Sequence, residues 1–461
     1  MAPNSSSLLP LLLLCFFYGY HVSGEEQFFR TVRVDTLLPA AVCSTRKGFS
    51  TGGNSLRVVH RRGPCSPLAG VKPNHARTLL RQDVLRVESL QRRLSREASV
   101  GGQTQASEVA LPAQRGITFG TANYVVTLGL GTPGRDQTVV FDTGSNVCWV
   151  QCQPCVGSCY PQQGPVFDPA ASSTYSNVSC GSTACGNLDV RGCSGTTCLY
   201  GVKYGDNSTT VGFLATDTLT LAPGYAFPGF VFGCGQRNQG LFGKVAGLVG
   251  LGRSSFSLVS QASQRLGKAF SYCLPATSSS TGHLTIGESA ASKAASYTPM
   301  LTDPRDSSLY FLTLTGISVG GQLLPVSPSV FQSAGTLIDS GTVITRLPPS
   351  AYSALRSAFR AAMAKYPMAP PRTLLDTCYD FSNTETISYP VVSLHFGGGA
   401  ELQLELPGIF YVADISQACL GFAGNGSPGD VGIIGNVQQR TAEVVYDIGG
   451  GRIGFSPKAC S

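Results

Sequence analysis

The sequence predicts a mainly β protein whose body is made of two related halves, and three observations carry that prediction. Short β-branched and aromatic runs (YVVTLGLGTP, QTVVFDTGS, FLATDTLTL, FPGFVFGCG and LYFLTLTGISVGG) close one after another on Gly, Pro or Asp, as strands joined by tight turns do. The composition agrees: 55 Gly and 28 Pro are spread over 461 residues rather than repeated, with 42% hydrophobic and 13% charged residues. That excludes disordered, collagen-like and coiled-coil designs. Finally, the chain repeats itself: TVVFDTGS, ending at Ser145, resembles TLIDSGT, ending at Thr342. Each is an apolar strand that delivers an Asp into a Gly-containing turn. Each is followed by an apolar pair plus Gly, Leu248-Val249-Gly250 in the first half and Ile433-Ile434-Gly435 in the second.

The elements follow in chain order. Residues 8–18, LLPLLLLCFFY, are followed by small residues at Ser23 and Gly24, which predicts a signal peptide over 1–24 whose apolar run is too short to span a bilayer. Its start, MAPNSSS, lacks Lys and Arg, and an organellar transit peptide is the rival reading. No later stretch reaches ~18 uninterrupted apolar residues, so a soluble product is expected. Residues 25–115 carry 15 Lys and Arg against 7 Asp and Glu, a net of +8, while residues 116–461 carry a net of −1. The formal net charge of +7 therefore belongs to one N-terminal block. A basic arm on a nucleic-acid-binding protein and a basic segment covering an acidic site both fit that distribution. Within the block, residues 76–96 place Leu80, Val84, Val87, Leu90 and Leu94 on one apolar face of a helix, with Arg on the other faces. Residues 97–116, rich in Ser, Gly, Gln and Ala, read as a linker open to proteolysis. In the body, PSAYSALRSAFRAAMAKYP places Tyr352, Leu355, Phe359 and Met363 at helical spacing behind a Ser350 cap.

Cysteines and histidines narrow the chemistry. Cys15 falls in the signal segment and Cys43 and Cys65 in the basic block. Seven of the remaining thirteen crowd between Cys152 and Cys198. The CxxC at Cys152 and Cys155, with Cys159 close behind, has a zinc-like spacing, but behind a signal peptide disulfides are the better reading. Twelve of the thirteen can pair, and Cys148, in an apolar strand run, is the free thiol acting as a small hydrophobe. His283 and His395 are the only histidines of the body; there is no HExxH, no GxSxG and no phosphate-binding Gly-Lys loop. Metalloprotease, serine hydrolase and nucleotide hydrolase readings lose their machinery.

One Asp-Thr-Gly is ordinarily a turn residue bonding its own backbone. Two copies 197 residues apart, each with its trailing echo, are not explained that way. Here YVVTLGLGTP…TVVFDTGSNVCWV resembles the opening of the pepsin-like aspartic proteases, over about residues 123–459. The cysteine cluster, TLIDSGTVITRLP and GIIGNVQQRTAEVVYD are similar to the plant nepenthesin-like branch, including its chloroplast-nucleoid-type members. The resemblance implies the bilobal pepsin-like acid protease fold: two β lobes related by a pseudo-two-fold axis, residues 123–300 with a Cys-rich insert at 152–198, and residues 308–459. It implies an aspartic endopeptidase acting on extended polypeptides at acid pH, with Asp142 and Asp339 as the catalytic pair. Two carboxylates about 3 Å apart cannot both ionise and so share one proton. Gly144 and Gly341 let the backbone approach them, Ser145 and Thr342 bond them from outside, and Thr143 and Ser340 tie the two turns together. VKYGDNSTTVG resembles the family's flap hairpin, with Tyr204 over the cleft paired to Trp149, the only tryptophan.

The same resemblance implies no cofactor and no metal, a monomer, and residues 25–115 as a prosegment that inhibits its own enzyme. Nucleic-acid binding through that block is the lesser reading. The location expected is the secretory pathway, apoplast or vacuole, with the chloroplast as alternative. The implied disulfides are Cys152–Cys155, Cys159–Cys234, Cys180–Cys198, Cys185–Cys193, Cys273–Cys460 and Cys378–Cys419. Asn436 stands where pepsin has an Asp, which lowers the pKa of a neighbouring carboxylate and alters the pH optimum. Glycan acceptor sequons occur at Asn177, Asn207 and Asn425. Plant xylanase inhibitors resemble the chain too, as a catalytically silent binding class; both turns are complete here, which favours catalysis.

Overall fold

The computed structural model describes residues 28–44, 53–68, 76–95, 124–204, 207–291, 293–294 and 296–460. The expected signal peptide and the linker at 97–116 lie outside the described residues. What is described is mostly β, and the helices longer than two turns among the described residues are Ala76–Leu94, Leu258–Leu266 and Pro349–Ala362. None is long and apolar enough to cross a membrane.

Two sheets position everything that follows. The larger one runs through the first half of the body and continues into strands Ala269–Cys273, Glu443–Asp447 and Arg452–Ser456, so the end of the chain pairs back onto the first half. The second, six-stranded, belongs to the second half and contains Thr336–Ile338, Thr345–Leu347 and Gly432–Ile434. The repeat seen in the sequence has a structural cause. Gly247–Gly250 lies parallel to Arg135–Asp142, with Gly250 opposite Asp142, and Gly432–Ile434 lies parallel to Thr336–Ile338. In each half the trailing apolar pair is thus the strand that braces the Asp-bearing strand. Leu248, Val249, Ile433 and Ile434 are buried there.

The basic block is part of this architecture. Strand Phe29–Arg33 pairs antiparallel with Thr386–Pro390. Strand Ser55–His60 enters the large sheet between Thr281–Ile286 and Tyr124–Leu130. Helix Ala76–Leu94 then lies between the halves, and it is buried on more than one face: Leu79, Leu80, Val87, Leu90 and Leu94 are covered, and so are Gln82, Asp83, Arg86 and Ser89. The expectation of a single apolar face with arginines on the others fails at Arg86. In the body, the helix Pro349–Ala362 has Pro348 at its N-cap and Pro349 at its first position, so Ser350 is not the cap. Proline serves there because its missing N–H is one the helix start leaves unpaired anyway.

Four of the implied disulfides are corrected. Cys152 bonds Cys234, because Trp149–Gln151 runs parallel to Tyr225–Gln239 and brings the two α-carbons to 5.3 Å. Cys155 bonds Cys159 across a short loop. Cys180 bonds Cys193 and Cys185 bonds Cys198. The last two pairs sort by depth: Cys185 and Cys198 are buried, whereas Cys193 is exposed and Cys180 half-buried. Cys193 and Cys198 stand directly opposite each other in a hairpin, yet each bonds a cysteine of the preceding segment instead of its neighbour across the strands. Cys273–Cys460 and Cys378–Cys419 pair as implied, Cys43 bonds Cys65 within the basic block, and Cys148 is a buried free thiol. Burial pushes that thiol up to about 12, which leaves it protonated and inert.

Candidate active site

Asp142 ends the strand Arg135–Asp142, and Asp339 follows the strand Thr336–Ile338 directly. The main chain of each is anchored to the bracing segment, Leu251 N donating to Asp142 O at 2.9 Å and Asp339 N to Ile434 O at 3.1 Å. Within each turn the glycine N–H returns to its own aspartate: Gly144 N to Asp142 Oδ1 and Gly341 N to Asp339 Oδ1, both at 3.1 Å. The outer oxygens are bonded by Ser145 Oγ on Asp142 and by Thr342 Oγ1 on Asp339, the latter at 2.5 Å. A β-carbon at Gly144 would stand 2.8 Å from Asp339 Oδ1, and one at Gly341 would collide with Asp142 Oδ1. Glycine is required because each turn lies against the other half's carboxylate.

Thr143 and Ser340 lock the two turns together. Thr143 N donates to Ser340 Oγ at 3.1 Å, and Ser340 N donates to Thr143 Oγ1 at 2.9 Å. Asn436 supports the second turn, its Nδ2 donating to Ser340 O at 3.0 Å, and its Oδ1 is buried without a hydrogen-bond partner. Ser340→Ala would leave the buried Thr143 N–H without its acceptor, a loss of about 1–3 kcal/mol. The expected outcome is a lower Tm together with a fall in kcat rather than a rise in KM, because the turns that aim the carboxylates lose their lock; steady-state kinetics beside thermal melts check it.

The two aspartates meet on one side chain that the sequence did not single out. Arg86, from the helix Ala76–Leu94, places Nη2 at 2.7 Å from Asp142 Oδ1 and 2.9 Å from Asp339 Oδ1, with Nε at 2.9 Å from Asp339 Oδ2. All three side chains are essentially sealed from solvent. Burial pushes the Asp142 carboxyl above its ordinary range, Arg86 opposing and the Asp339 charge adding to the rise. Burial acts the same way on Asp339, but the Arg86 ion pair and hydrogen bonds, with those of Thr342 and Gly341, outweigh it and hold the group below its ordinary range. The geometry explains the difference, since Arg86 gives Asp339 two nitrogens and Asp142 one.

A signal for this contact existed. Leu79, Asp83, Arg86 and Leu90 are spaced by four, three and four, so an acid and a base interrupt a buried helical stripe. Asp83 takes hydrogen bonds from Val343 N and Ile344 N and pairs with Arg346. Farther along, Gln91 exchanges two hydrogen bonds with the backbone of Val431, and Arg93 pairs with Asp306.

Tyr204 lies in the turn between Thr197–Lys203 and Thr209–Ala222 and is buried. Its hydroxyl accepts from Trp149 Nε1 at 2.7 Å, and both rings pack on Phe242, at centroid distances of 5.9 and 5.1 Å. Phe242 is a third member of this cluster with no counterpart in the sequence reading. Of the sequons, Asn177 and Asn207 are exposed. Asn425 spends its side-chain nitrogen on the carbonyls of Asp430 and Val431.

Two symmetric Asp turns locked across a pseudo-dyad, on two β halves, define the aspartic protease class. Comparison with known proteins names the family. Residues 124–288 match the model described as xylanase inhibitor N-terminal, and residues 309–457 the one described as xylanase inhibitor C-terminal. An aspartyl protease family protein of Arabidopsis thaliana is 47% identical over 470 residues, covering 99% of each chain. Aspartic proteinase nepenthesin-1 of Nepenthes gracilis is 35% identical, over 81% of this chain and 85% of its own. Among solved structures, conglutin gamma, a basic 7S globulin from lupine seeds, shares the fold with a TM-score of 0.58 at 22% identity, covering 72% of this chain and 91% of its own. The chain belongs to the plant branch of the pepsin-like aspartic protease family.

Proposed function

We propose that the chain is an aspartic endopeptidase made as a zymogen, with Asp142 and Asp339 as its catalytic pair and residues 25–115 as its prosegment. The observation that carries this reading is that one nitrogen, Arg86 Nη2, is held by the inner oxygens of both carboxylates. Once the helix has left, that point is where a water would sit. With one proton on the pair, the ionised carboxylate takes a proton from the water as its oxygen attacks the scissile carbonyl carbon. The protonated partner gives its proton to the carbonyl oxygen. On collapse the amide nitrogen takes the first carboxylate's proton as the C–N bond breaks, and a hydroxyl of the tetrahedral intermediate returns its proton to the second. No acyl-enzyme forms.

The charges of the prosegment support an internal partner rather than nucleic acid. Arg86 is spent on the pair, Arg93 on Asp306, and Arg30 on Glu405 at 2.6 Å. Seven disulfides among the described residues favour an oxidising compartment, and the secretory pathway leading to apoplast or vacuole is our assignment.

The test is peptide cleavage from about pH 2.5 to 7.5 after acid treatment of the full chain, with pepstatin and with Asp142→Ala in parallel. Acid-limited, pepstatin-blocked turnover that is lost in the variant, with release of a basic N-terminal fragment, is the expected result. A folded protein with no turnover at any pH would replace the protease with a silent binding protein.

A further inference from the structure

We propose that the N–H groups of Val343 and Ile344 and the guanidinium of Arg346 form a carboxylate-binding subsite of the mature cleft, which takes an acidic side chain of a polypeptide substrate. In the zymogen this subsite is filled by Asp83. Val343 N donates to Asp83 Oδ1 at 2.6 Å and Ile344 N to Asp83 Oδ2 at 3.2 Å, while Arg346 Nη2 donates to Oδ2 at 3.0 Å. Arg346 Nη1 is tied to Ile344 O at 2.7 Å, which fixes the direction of the fork. Three donors thus converge on one carboxylate, and the Arg346 and Asp83 side chains are 5% and 0% exposed.

The inference rests on the zymogen reading, and its force comes from what release of the helix leaves behind. Asp83 departs; Arg346 stays, anchored in the strand Thr345–Leu347, and loses the carboxylate it was buried against. A buried guanidinium without a counter-charge is unfavourable, so the open cleft holds a preformed demand for an anion. The surrounding charge acts in the same direction. Tyr411 feels Arg440, Arg372, Asp83 and Arg62; Asp83 and Arg62 leave with the prosegment, while Arg440 and Arg372 remain.

Symmetry places this residue at the substrate. Arg346 stands seven residues after Asp339, as Trp149 stands seven after Asp142. Trp149 lies opposite Leu248 on the bracing strand of its half, and Arg346 lies opposite Ile433 on that of the other. The position that holds the Tyr204 hydroxyl in one lobe holds a carboxylate in the other. Asp83 is three residues from Arg86 on one helix, about 4.5 Å along the axis. An extended substrate advances about 3.3 Å per residue, so the acidic side chain falls within about two residues of the scissile bond. Leu79 and Leu80 pack beside it in an apolar cluster with Val343, Ile344, Ala369, Leu375 and Tyr411, so an apolar residue is expected next to the acid.

The experiment compares kcat/KM of acid-processed full-chain protein on peptides carrying Glu or Gln at each of the two positions on either side of the cut. It runs from about pH 3 to 6, across the ordinary glutamate range. At one position the Glu/Gln ratio is expected to rise with pH to roughly ten- to a hundred-fold, the worth of hydrogen bonds to a charged group. Arg346→Gln should abolish the ratio and Arg346→Lys should keep part of it. Equal rates for Glu and Gln at every position, or a preference that survives Arg346→Gln, overturn the proposal. Because the Arg346 variants risk misfolding, the wild-type protein is also titrated with a peptide of residues 76–95 and its Asp83→Asn form. A ten-fold or greater loss of affinity is expected, and equal affinities overturn the subsite. Failure to cleave either peptide with this affinity difference intact would sink the protease reading and leave the subsite standing.

Discussion

On the zymogen reading proposed above, Arg86→Met protein is expected to process itself and cleave peptide at near-neutral pH, where the wild-type chain is expected to stay latent. The side chain is buried between two carboxylates. Removing one partner of a buried ion pair costs roughly 3–5 kcal/mol, because the charges left behind have lost both water and counter-ion. Here the two carboxylates relieve part of that by sharing a proton, which places the loss toward the lower end, about a hundred-fold in the docked-to-released ratio. The sign with pH follows from the same geometry. Asp339 is the group Arg86 holds below its ordinary range, so its pKa rises once the helix has left. Its share of docking is therefore complete above the released Asp339 range and weakens as pH falls through it. Without Arg86 this pH dependence should flatten as well as shift. Arg86→Lys keeps the charge but not the two-nitrogen grip on Asp339, and an intermediate threshold is expected. The readout is the fraction of intact chain against pH on a gel, with peptide turnover beside it. If Arg86→Met is as latent as wild type at neutral pH, the burial of Val87, Leu90 and Leu94 holds the helix, and the ion pair does not set the latch.

What was legible in the sequence was whatever repeats. Asp142 and Asp339, with Leu248-Val249 and Ile433-Ile434 behind them, could be found because both halves must present a carboxylate on the same braced turn. Repetition cannot reveal a contact made only once. Arg86 is such a contact: its helix has the apolar spacing of an ordinary amphipathic helix, and only its place beside Asp83 within a buried stripe distinguishes it from the solvent-facing arginines Arg81 and Arg92. The disulfides fail for a related reason. Along the chain Cys185 is nearer to Cys193 than to Cys198, yet it bonds Cys198, and what separates the pairs is depth beneath the hairpin, which spacing does not encode. Tyr204 and Trp149 were placed together by family resemblance, whereas Phe242, which packs on both, belongs to no motif.

His60→Asn is expected to move acid release of the prosegment to lower pH. His60 ends the strand Ser55–His60, edge-on to Tyr124, and its Nδ1 accepts from Arg62 N at 3.3 Å, so the ring is held neutral. Burial, then the charges of Arg440, Arg61 and Arg62, lower its pKa from 6.5 to about 3. Arg440 is fixed in the body, its Nε donating to the Tyr124 hydroxyl at 3.1 Å, so this opposition persists as long as the strand is docked. A released histidine titrates near its ordinary value, so the released state binds the extra proton throughout that interval. Docking strength is therefore complete above about pH 6.5 and falls by at most ~1.4 kcal/mol per pH unit down to about 3. This effect adds to that of Arg86, and the two act on different elements of the prosegment: one loosens the helix from the carboxylates, the other expels the strand from the sheet. Asn supplies an acceptor for the Arg62 N–H and carries no titratable group. The half-point of processing against pH should drop by a measurable fraction of a unit or more, with its slope reduced. An unchanged half-point and slope would mean that the carboxylate pair alone senses acid, and that the strand leaves only after the helix has gone.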